Sequence, residues 1–121
     1  VVDGQDIVMK SAGDQMRSYC YTLDCASAVL TVLLKGKSGE AYNVSNRKSV
    51  VSIRDMAEEL AFCGGKKILF ENPTDAEKKN YNLMANSSLD AEKLEQLGWK
   101  PGYDLEHGVR RTIEILRGED A

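Results

Sequence analysis

One arginine stands out as a residue that could bind a ligand. Arg17 opens the stretch 17–24, in which larger and smaller residues alternate with the period of two that is typical of a strand. A guanidinium is always charged, and its forked N–H donors match the oxygens of a phosphate. The residue types equally allow a structural ion pair between Arg17 and Asp14 or Asp24. Phosphate binding and structural pairing are therefore both open for Arg17.

Two further cations, Lys78 and Lys79, stand side by side in the polar stretch 76–82. Adjacent lysines in a polar segment are typical of solvated surface. The stretch is long and irregular for a plain connector, however. A lysine also binds phosphate as a point charge, so both residues remain candidates for ligand contact.

Residue patterns that carry out chemistry are absent from the sequence. It contains no nucleophile elbow, zinc motif, P-loop or G-x-G-x-x-G turn. Neither Tyr19 nor Tyr21 is followed by a lysine at the fourth position, so neither belongs to a Tyr-x-x-x-Lys pair. His107 has no Ser, Cys or Asp arranged around it, and we expect no catalytic role for it. The sequence predicts a chain that holds a ligand.

Composition indicates one soluble domain over residues 1–121. Hydrophobic residues make up 42% and charged residues 29%, and the net charge of -3 gives no sign of the basic face of a nucleic-acid binder. No apolar run approaches the roughly 20 residues that span a bilayer. Three cysteines without metal-ligand spacing fit reduced thiols in the cytoplasm and predict no metal site. Because the chain opens without Met or signal peptide, we expect it to start inside a longer protein.

The predicted elements give an α/β fold of short strands packed with about four helices. Strands are expected over 6–10, 18–23, 40–45 and 66–70, and Val50 and Val51 are expected to lead into the second helix. Helices are expected over 25–35, from 53 to Gly64-Gly65, over 89–97 and from 105 to 116.

Several end signals support these helices. The helix over 25–35 is apolar around nearly its whole circumference, so we expect it to be deeply buried. Asp24 should accept its first amides, and Gly36 should take the left-handed position at its end. Ser52 and Asp55 form a capping-box pattern, and Asp104 precedes the last helix as its N-cap.

The order of four motifs resembles the NAD-dependent sugar-nucleotide epimerases and dehydratases, the extended short-chain dehydrogenases. Residues 17–24 resemble their R-D-x-x-Y-V-x-D segment, and residues 39–44 resemble their G-E-x-Y-N-V/I-G strand. Residues 49–57 are similar to their x-x-S-I-x-E-L-A helix start. Residues 89–101 are similar to their x-D-x-S-K-A-x-x-L-G-W-x-P segment. Together the motifs cover nearly the whole chain.

The resemblance implies that this chain is the C-terminal, substrate-binding part of such an enzyme. The Rossmann half, with its glycine-rich NAD loop and its Tyr-x-x-x-Lys pair, would then lie upstream of residue 1. NAD would act in the intact enzyme, with no catalytic or cofactor-binding residue in this chain. We expect a nucleotide-diphosphate sugar as ligand, a homodimer, and no nucleic-acid or membrane partner. The alternatives are a stand-alone module that binds a nucleotide or sugar phosphate, or a protein-interaction domain.

The resemblance also assigns roles and shows departures. Arg17 matches the arginine that contacts the substrate pyrophosphate, and Asp24 matches a structural acid that caps the following helix. Ser45 stands where the family usually has Gly. Asn72 aligns with a second diphosphate-binding arginine and cannot supply its charge, so Lys78 or Lys79 is the candidate substitute.

Overall fold

A computed structural model describes residues 1–79, 81–82 and 84–119. Within these residues, the strands are β1 (Ile7–Met9), β2 (Met16–Ser18), β3 (Val50–Ser52) and β4 (Ile68–Phe70). The α-helices are α1 (Thr22–Lys35), α2 (Ile53–Gly64), α3 (Asp75–Lys79), α4 (Glu92–Glu95) and α5 (Leu105–Arg117). The predicted α/β class with short strands is confirmed, and α3 is an additional short helix in the polar stretch.

The strands form two separate pairs. β1 runs parallel to β4, with Ile7 opposite Ile68. β2 runs antiparallel to β3, with Arg17 opposite Val51. On the other edge of β2, the Met16 N–H donates to the Ala85 carbonyl at 2.8 Å. Because β2 is held on both edges, the backbone that carries Arg17 is firmly placed.

The junction between β2 and α1 differs from the prediction. The strand ends at Ser18, and α1 already begins at Thr22, with Tyr21 as its extended N-cap. Asp24 is therefore an internal residue of the first helical turn and does not cap it. Its buried carboxylate instead accepts hydrogen bonds from the N–H groups of Gly102 at 2.8 Å and Tyr103 at 3.0 Å. The alternating pattern missed this boundary because Tyr21 is packed by a distant residue, with its ring 4.3 Å from that of Tyr103.

A small core lies under the inner face of α1. Ala28, Leu94 and Trp99 form its buried centre. The indole N–H of Trp99 donates to the Ser27 hydroxyl at 2.9 Å, so its polar edge is satisfied as well. Trp99 thus packs against α1. α4 is only four residues long, which is shorter than the helix expected over 89–97.

The outer face of α1 is exposed, although the sequence predicted a deeply buried helix. Its side chains are apolar and more than half exposed, reaching 76% for Leu33 and 80% for Leu34. The other large residues of this face are Leu23, Val29 and Leu30. A helix that is apolar on both faces normally has neighbours on both, and here the described residues cover only one.

The segment 40–45 was predicted as a strand, but it makes no strand hydrogen bonds with the described residues. Tyr42 and Val44 pack against the core of α1, whereas Ala41 and Asn43 are exposed. Gly36, just before it, has φ of -69°, so the predicted left-handed position at the end of α1 is wrong. Alternation of packed and exposed side chains is typical of a strand. A hydrogen-bonded ladder also requires a neighbouring strand, which the described residues do not supply here.

The remaining end signals are confirmed. Ser52 and Asp55 form a complete capping box at the start of α2, and Gly65 takes the left-handed conformation at its end. The Asp104 carboxylate accepts the His107 N–H at the start of α5. α2 and α5 pack on one another. Among the described residues, no helix is both long and apolar enough to cross a membrane.

Candidate functional site

Arg17 lies in the middle of β2 with its side chain half-buried. Its Nη1 donates to the carbonyl of Met16 at 2.6 Å and to that of Met84 at 3.2 Å. Among the described residues, no carboxylate pairs with Arg17, so neither of the ion pairs that the sequence allowed, with Asp14 or with Asp24, is formed. Two neutral carbonyls orient the guanidinium and leave its charge uncompensated.

The side chain of Arg17 lines a cavity of about 180 Å³. The other lining residues are Ser11, Gln15, Ile53, Tyr81 and Asn82. Hydroxyl, amide and guanidinium groups thus line one cavity together with the aliphatic side chain of Ile53. A cation among neutral hydrogen-bonding groups suits an anionic ligand with polar neighbours.

The near wall of this cavity is set by the turn between β1 and β2. Gly13 has φ of +75°, and a Cβ there would come within 3.0 Å of the Arg54 backbone nitrogen. That close approach lets the Arg54 N–H donate to the Gly13 carbonyl at 2.9 Å. The Ile53 N–H then donates to the Gln15 carbonyl at 3.1 Å and continues the pairing of β2 with β3.

The far wall is tied to the end of β1. The Tyr81 hydroxyl donates to the Lys10 carbonyl at 2.7 Å. The Lys10 ammonium pairs with the Glu77 carboxylate, which also accepts the N–H and hydroxyl of Thr74 at the start of α3. The hydrogen bond from Lys10, followed by those from Thr74, lowers the pKa of Glu77 to about 2.

Lys78 and Lys79 lie at the end of α3, just before Tyr81 and Asn82. Neither lysine lines the cavity in its present conformation. Lys78 pairs with Asp75 at 3.3 Å between exposed side chains, and Lys79 has no ion pair with a described residue. Both lysines are exposed to solvent and lie just before the residues that form the far wall of the cavity.

Sequence reasoning missed Gln15, the residue two positions before Arg17. Its Oε1 is buried and has no hydrogen-bond partner in the part of the chain that the structure describes. Gln15 and Arg17 line the same cavity, as expected for positions i and i+2 of an extended chain. That spacing was the available signal.

A second cavity, of about 220 Å³, lies between the β2–α1 connection and helices α2 and α5. Its walls are largely apolar or aromatic, including Tyr19, Met56 and Val109. The thiol of Cys20 lines it, and burial followed by the neighbouring Cys25 raises the pKa of Cys20 to about 12. A raised pKa favours the protonated thiol, which is the less nucleophilic form of Cys20.

The remaining candidates for catalysis, His107 and Cys63, both contact carboxylates of their own helix or its N-cap. The imidazole Nδ1 of His107 lies 2.7 Å from the Asp104 carboxylate on the exposed start of α5. Burial, and then the hydrogen bond to Glu59, raises the pKa of Cys63 to about 11. In the described ranges, no three His, Cys, Asp or Glu side chains are grouped to hold a metal ion. The Arg17 cavity is the best candidate site.

Comparisons with known proteins agree with the fold. The family model described as "NAD dependent epimerase/dehydratase family" matches residues 1–45, which include Arg17 and α1. Human dTDP-D-glucose 4,6-dehydratase is 32% identical over 114 residues, covering 88% of this chain and 31% of that protein. dTDP-glucose 4,6-dehydratase 1 of Escherichia coli is 34% identical over 121 residues, covering 93% of this chain and 32% of the relative. The chain thus spans about a third of the length of these relatives.

Solved structures show the same fold. UDP-glucose 4-epimerase of Thermotoga maritima, determined with UDP-glucose, has a TM-score of 0.78 at 25% identity, covering 98% of this chain and 37% of that one. dTDP-glucose 4,6-dehydratase of Bacillus anthracis, determined with NAD, has a TM-score of 0.77 at 23% identity, covering 98% and 36%. Both are similar to this chain over nearly all of its length.

Proposed function

Because this chain belongs to the NAD-dependent epimerase/dehydratase family, the extended short-chain dehydrogenases, we propose that it binds the diphosphate of a nucleotide sugar through Arg17. The observation that carries this proposal is the cavity into which an uncompensated guanidinium is held by two backbone carbonyls. The relatives are named for dTDP-glucose, and the Thermotoga enzyme was determined with UDP-glucose. A nucleotide diphosphate joined to a sugar is the ligand class they share.

The chemistry of the guanidinium supports a diphosphate. Nη1 is occupied by the two carbonyls, whereas Nη2 and Nε of Arg17 have no partner among the described residues. Two free donor nitrogens on a planar group can contact two oxygens of one phosphate or of neighbouring phosphates. Asn72, which aligns with a diphosphate-binding arginine of the family, carries no charge. Lys78 and Lys79 on α3 would supply positive charge in its place. The exposed Lys78–Asp75 pair is weak enough to open for this.

NAD belongs, in this proposal, to a part of the enzyme outside these residues. The sequence has neither the glycine-rich turn that holds a dinucleotide nor a Tyr-x-x-x-Lys pair, so the residues present do not fit NAD. NAD would supply hydride transfer, and this chain would supply binding energy and orientation at a distance from the reacting carbon. We therefore expect the chain to act as the C-terminal, substrate-binding part of a cytoplasmic enzyme.

The outer face of α1 fits a contact with that NAD-binding half. The chain spans about a third of its relatives, and the exposed residues of this face are uncharged and apolar over the length of a 14-residue helix. A soluble chain rarely leaves such a surface open. Segment 40–45 lies against the same helix through Tyr42 and Val44, and its backbone forms no ladder with the described residues, so it offers an additional edge for strand pairing.

A titration of the purified chain tests the diphosphate site. Inorganic pyrophosphate and UDP are added, and binding is followed by amide shifts in NMR spectra. Arg17→Ala should weaken both ligands roughly tenfold, since a charge-assisted contact contributes on the order of 1.5–3 kcal/mol. Arg17→Lys should lose part of the binding free energy. Arg110→Ala is the matched control, because Arg110 is an exposed arginine of α5 that pairs with Glu106. Equal binding by wild type and Arg17→Ala, with both folded, would remove Arg17 from the site.

A further inference from the structure

The amide oxygen of Gln15 is a buried acceptor without a donor in the described part of the chain. Leaving such a group unpaired costs about 1–3 kcal/mol. Native proteins rarely tolerate this away from a functional site or an ordered water. Gln15 and Arg17 line the same cavity, so the residue with the unpaired oxygen lies beside the uncompensated charge.

The backbone fixes Gln15 relative to Arg17. Its carbonyl accepts the Ile53 N–H at 3.1 Å, and Met16, between the two residues, is bonded to Ala85 and Ser87. Residues two apart on an extended strand project to the same side. A ligand whose phosphate lies on Arg17 therefore presents its neighbouring groups to Gln15.

We propose that the Gln15 amide oxygen accepts a hydrogen bond from a hydroxyl group of the ligand whose diphosphate Arg17 binds. The inference rests on the proposed function, because the diphosphate sets where the ligand lies. The diphosphate of a nucleotide sugar is esterified at both ends and fully ionised at neutral pH, so it carries no donor and the donor comes from the groups next to it. Gln15 then acts as a specificity-determining residue: a ligand without that hydroxyl leaves the acceptor unpaired and binds less well.

Two parts of a nucleotide sugar carry such a hydroxyl, the ribose and the hexose. UDP has the ribose without the hexose, and glucose 1-phosphate has the hexose without the ribose. Inorganic pyrophosphate has neither and reports on the phosphate contacts of Arg17, Lys78 and Lys79. These three probes separate the source of the hydroxyl from the diphosphate contact.

The variant Gln15→Met keeps the length of the side chain and removes the amide. Each probe is titrated against the wild-type chain, Gln15→Met and the matched control Gln5→Met, in which Gln5 is exposed and lines neither cavity. Gln15→Met should weaken either UDP or glucose 1-phosphate roughly five- to tenfold and leave pyrophosphate unchanged. The weakened probe identifies the ribose or the hexose as the donor.

The thermal midpoint of the free chain gives a second readout. Replacing an unpaired buried amide with an apolar side chain of similar shape should raise the Tm, while Gln5→Met leaves it unchanged. If the wild type binds the probes and Gln15→Met binds them equally well, this inference is wrong and the role of Arg17 stands. If the wild type binds none of the three probes, the proposed function itself is wrong, and this inference falls with it.

Discussion

The carboxylate of Asp24 accepts a 2.8 Å hydrogen bond from the backbone N–H of Gly102, 78 residues later in the chain. A second bond, to the Tyr103 N–H, occupies its other oxygen. Asp24 thereby fastens the first turn of α1 to the turn before α5. It is a structural residue, as the family resemblance implied, but it stabilises a long-range contact and not the helix end.

We expect Asp24→Ala to destabilise the chain by roughly 3 kcal/mol, because it removes a buried acceptor and leaves two backbone N–H groups without a partner. Urea unfolding followed by circular dichroism measures this loss. Asp14→Ala, at an exposed position, is the control and should unfold with the wild type. A midpoint for Asp24→Ala equal to that of Asp14→Ala would show that the turn holds without the carboxylate.

Lys78 and Lys79 should contribute to diphosphate binding through charge alone. We expect Lys78→Ala and Lys79→Ala each to weaken pyrophosphate binding roughly threefold, an effect that fades as salt is added because both side chains are exposed. Lys37→Ala, an exposed lysine after α1, is the control. Isothermal titration at two salt concentrations provides the comparison. Unaltered affinity in the double variant would assign these lysines to the solvated surface.

The isolated chain should self-associate through the outer face of α1, because a second copy can cover the apolar surface left open. Leu33→Glu combined with Leu34→Glu places two charges on this face and should return the chain to a monomer of 13.4 kDa. Phe62→Glu is the matched control, since Phe62 is also 77% exposed but lies on α2. Sedimentation equilibrium distinguishes the species. A monomeric wild type that binds no hydrophobic dye would contradict this expectation.

Acid should release α3 from β1 only at low pH. The pKa of Glu77 is lowered from 4.5 to about 2, so its contact with Lys10 contributes fully above pH 4.5 and is lost as the pH falls through about 2. Carboxyl NMR titration of Glu77 measures the midpoint directly. Glu77→Gln should loosen the Tyr81 contact already at pH 7, whereas Glu58→Gln, at an exposed α2 position, should not. A Glu77 midpoint near 4.5 would show that the contact does not form in solution.

Local signals made much of the fold predictable. Ser52 with Asp55, and Asp104 before α5, lie within three residues of the amides they bind, so the sequence alone indicated both helix starts. The boundary at Thr22 was not predictable, because Tyr103 and Gly102 determine the environment of Tyr21 and Asp24. Such contacts join residues that no window of sequence contains.

In the candidate site, too, one residue could be predicted from the sequence and another depends on the folded surroundings. Arg17 could be found by residue type and by family resemblance, since its charge and its position after a turn are visible in the sequence. The spacing of two residues could place Gln15 beside Arg17, but its unpaired acceptor could not be predicted, because such a group is defined by what surrounds it in three dimensions. The strand expected over 40–45 needs a neighbouring strand to form its ladder, and the described residues provide none.

Trp99, the single tryptophan of the chain, is 3% exposed and bonded to Ser27 on the inner face of α1. Its fluorescence therefore comes from one place, the interface between α1 and the turn that precedes α5. Docking of a partner on the outer face of α1 that shifts the helix should therefore change the surroundings of this indole, which lies on the opposite side of the helix. The molecule thus carries its own optical reporter for that surface, with no added dye.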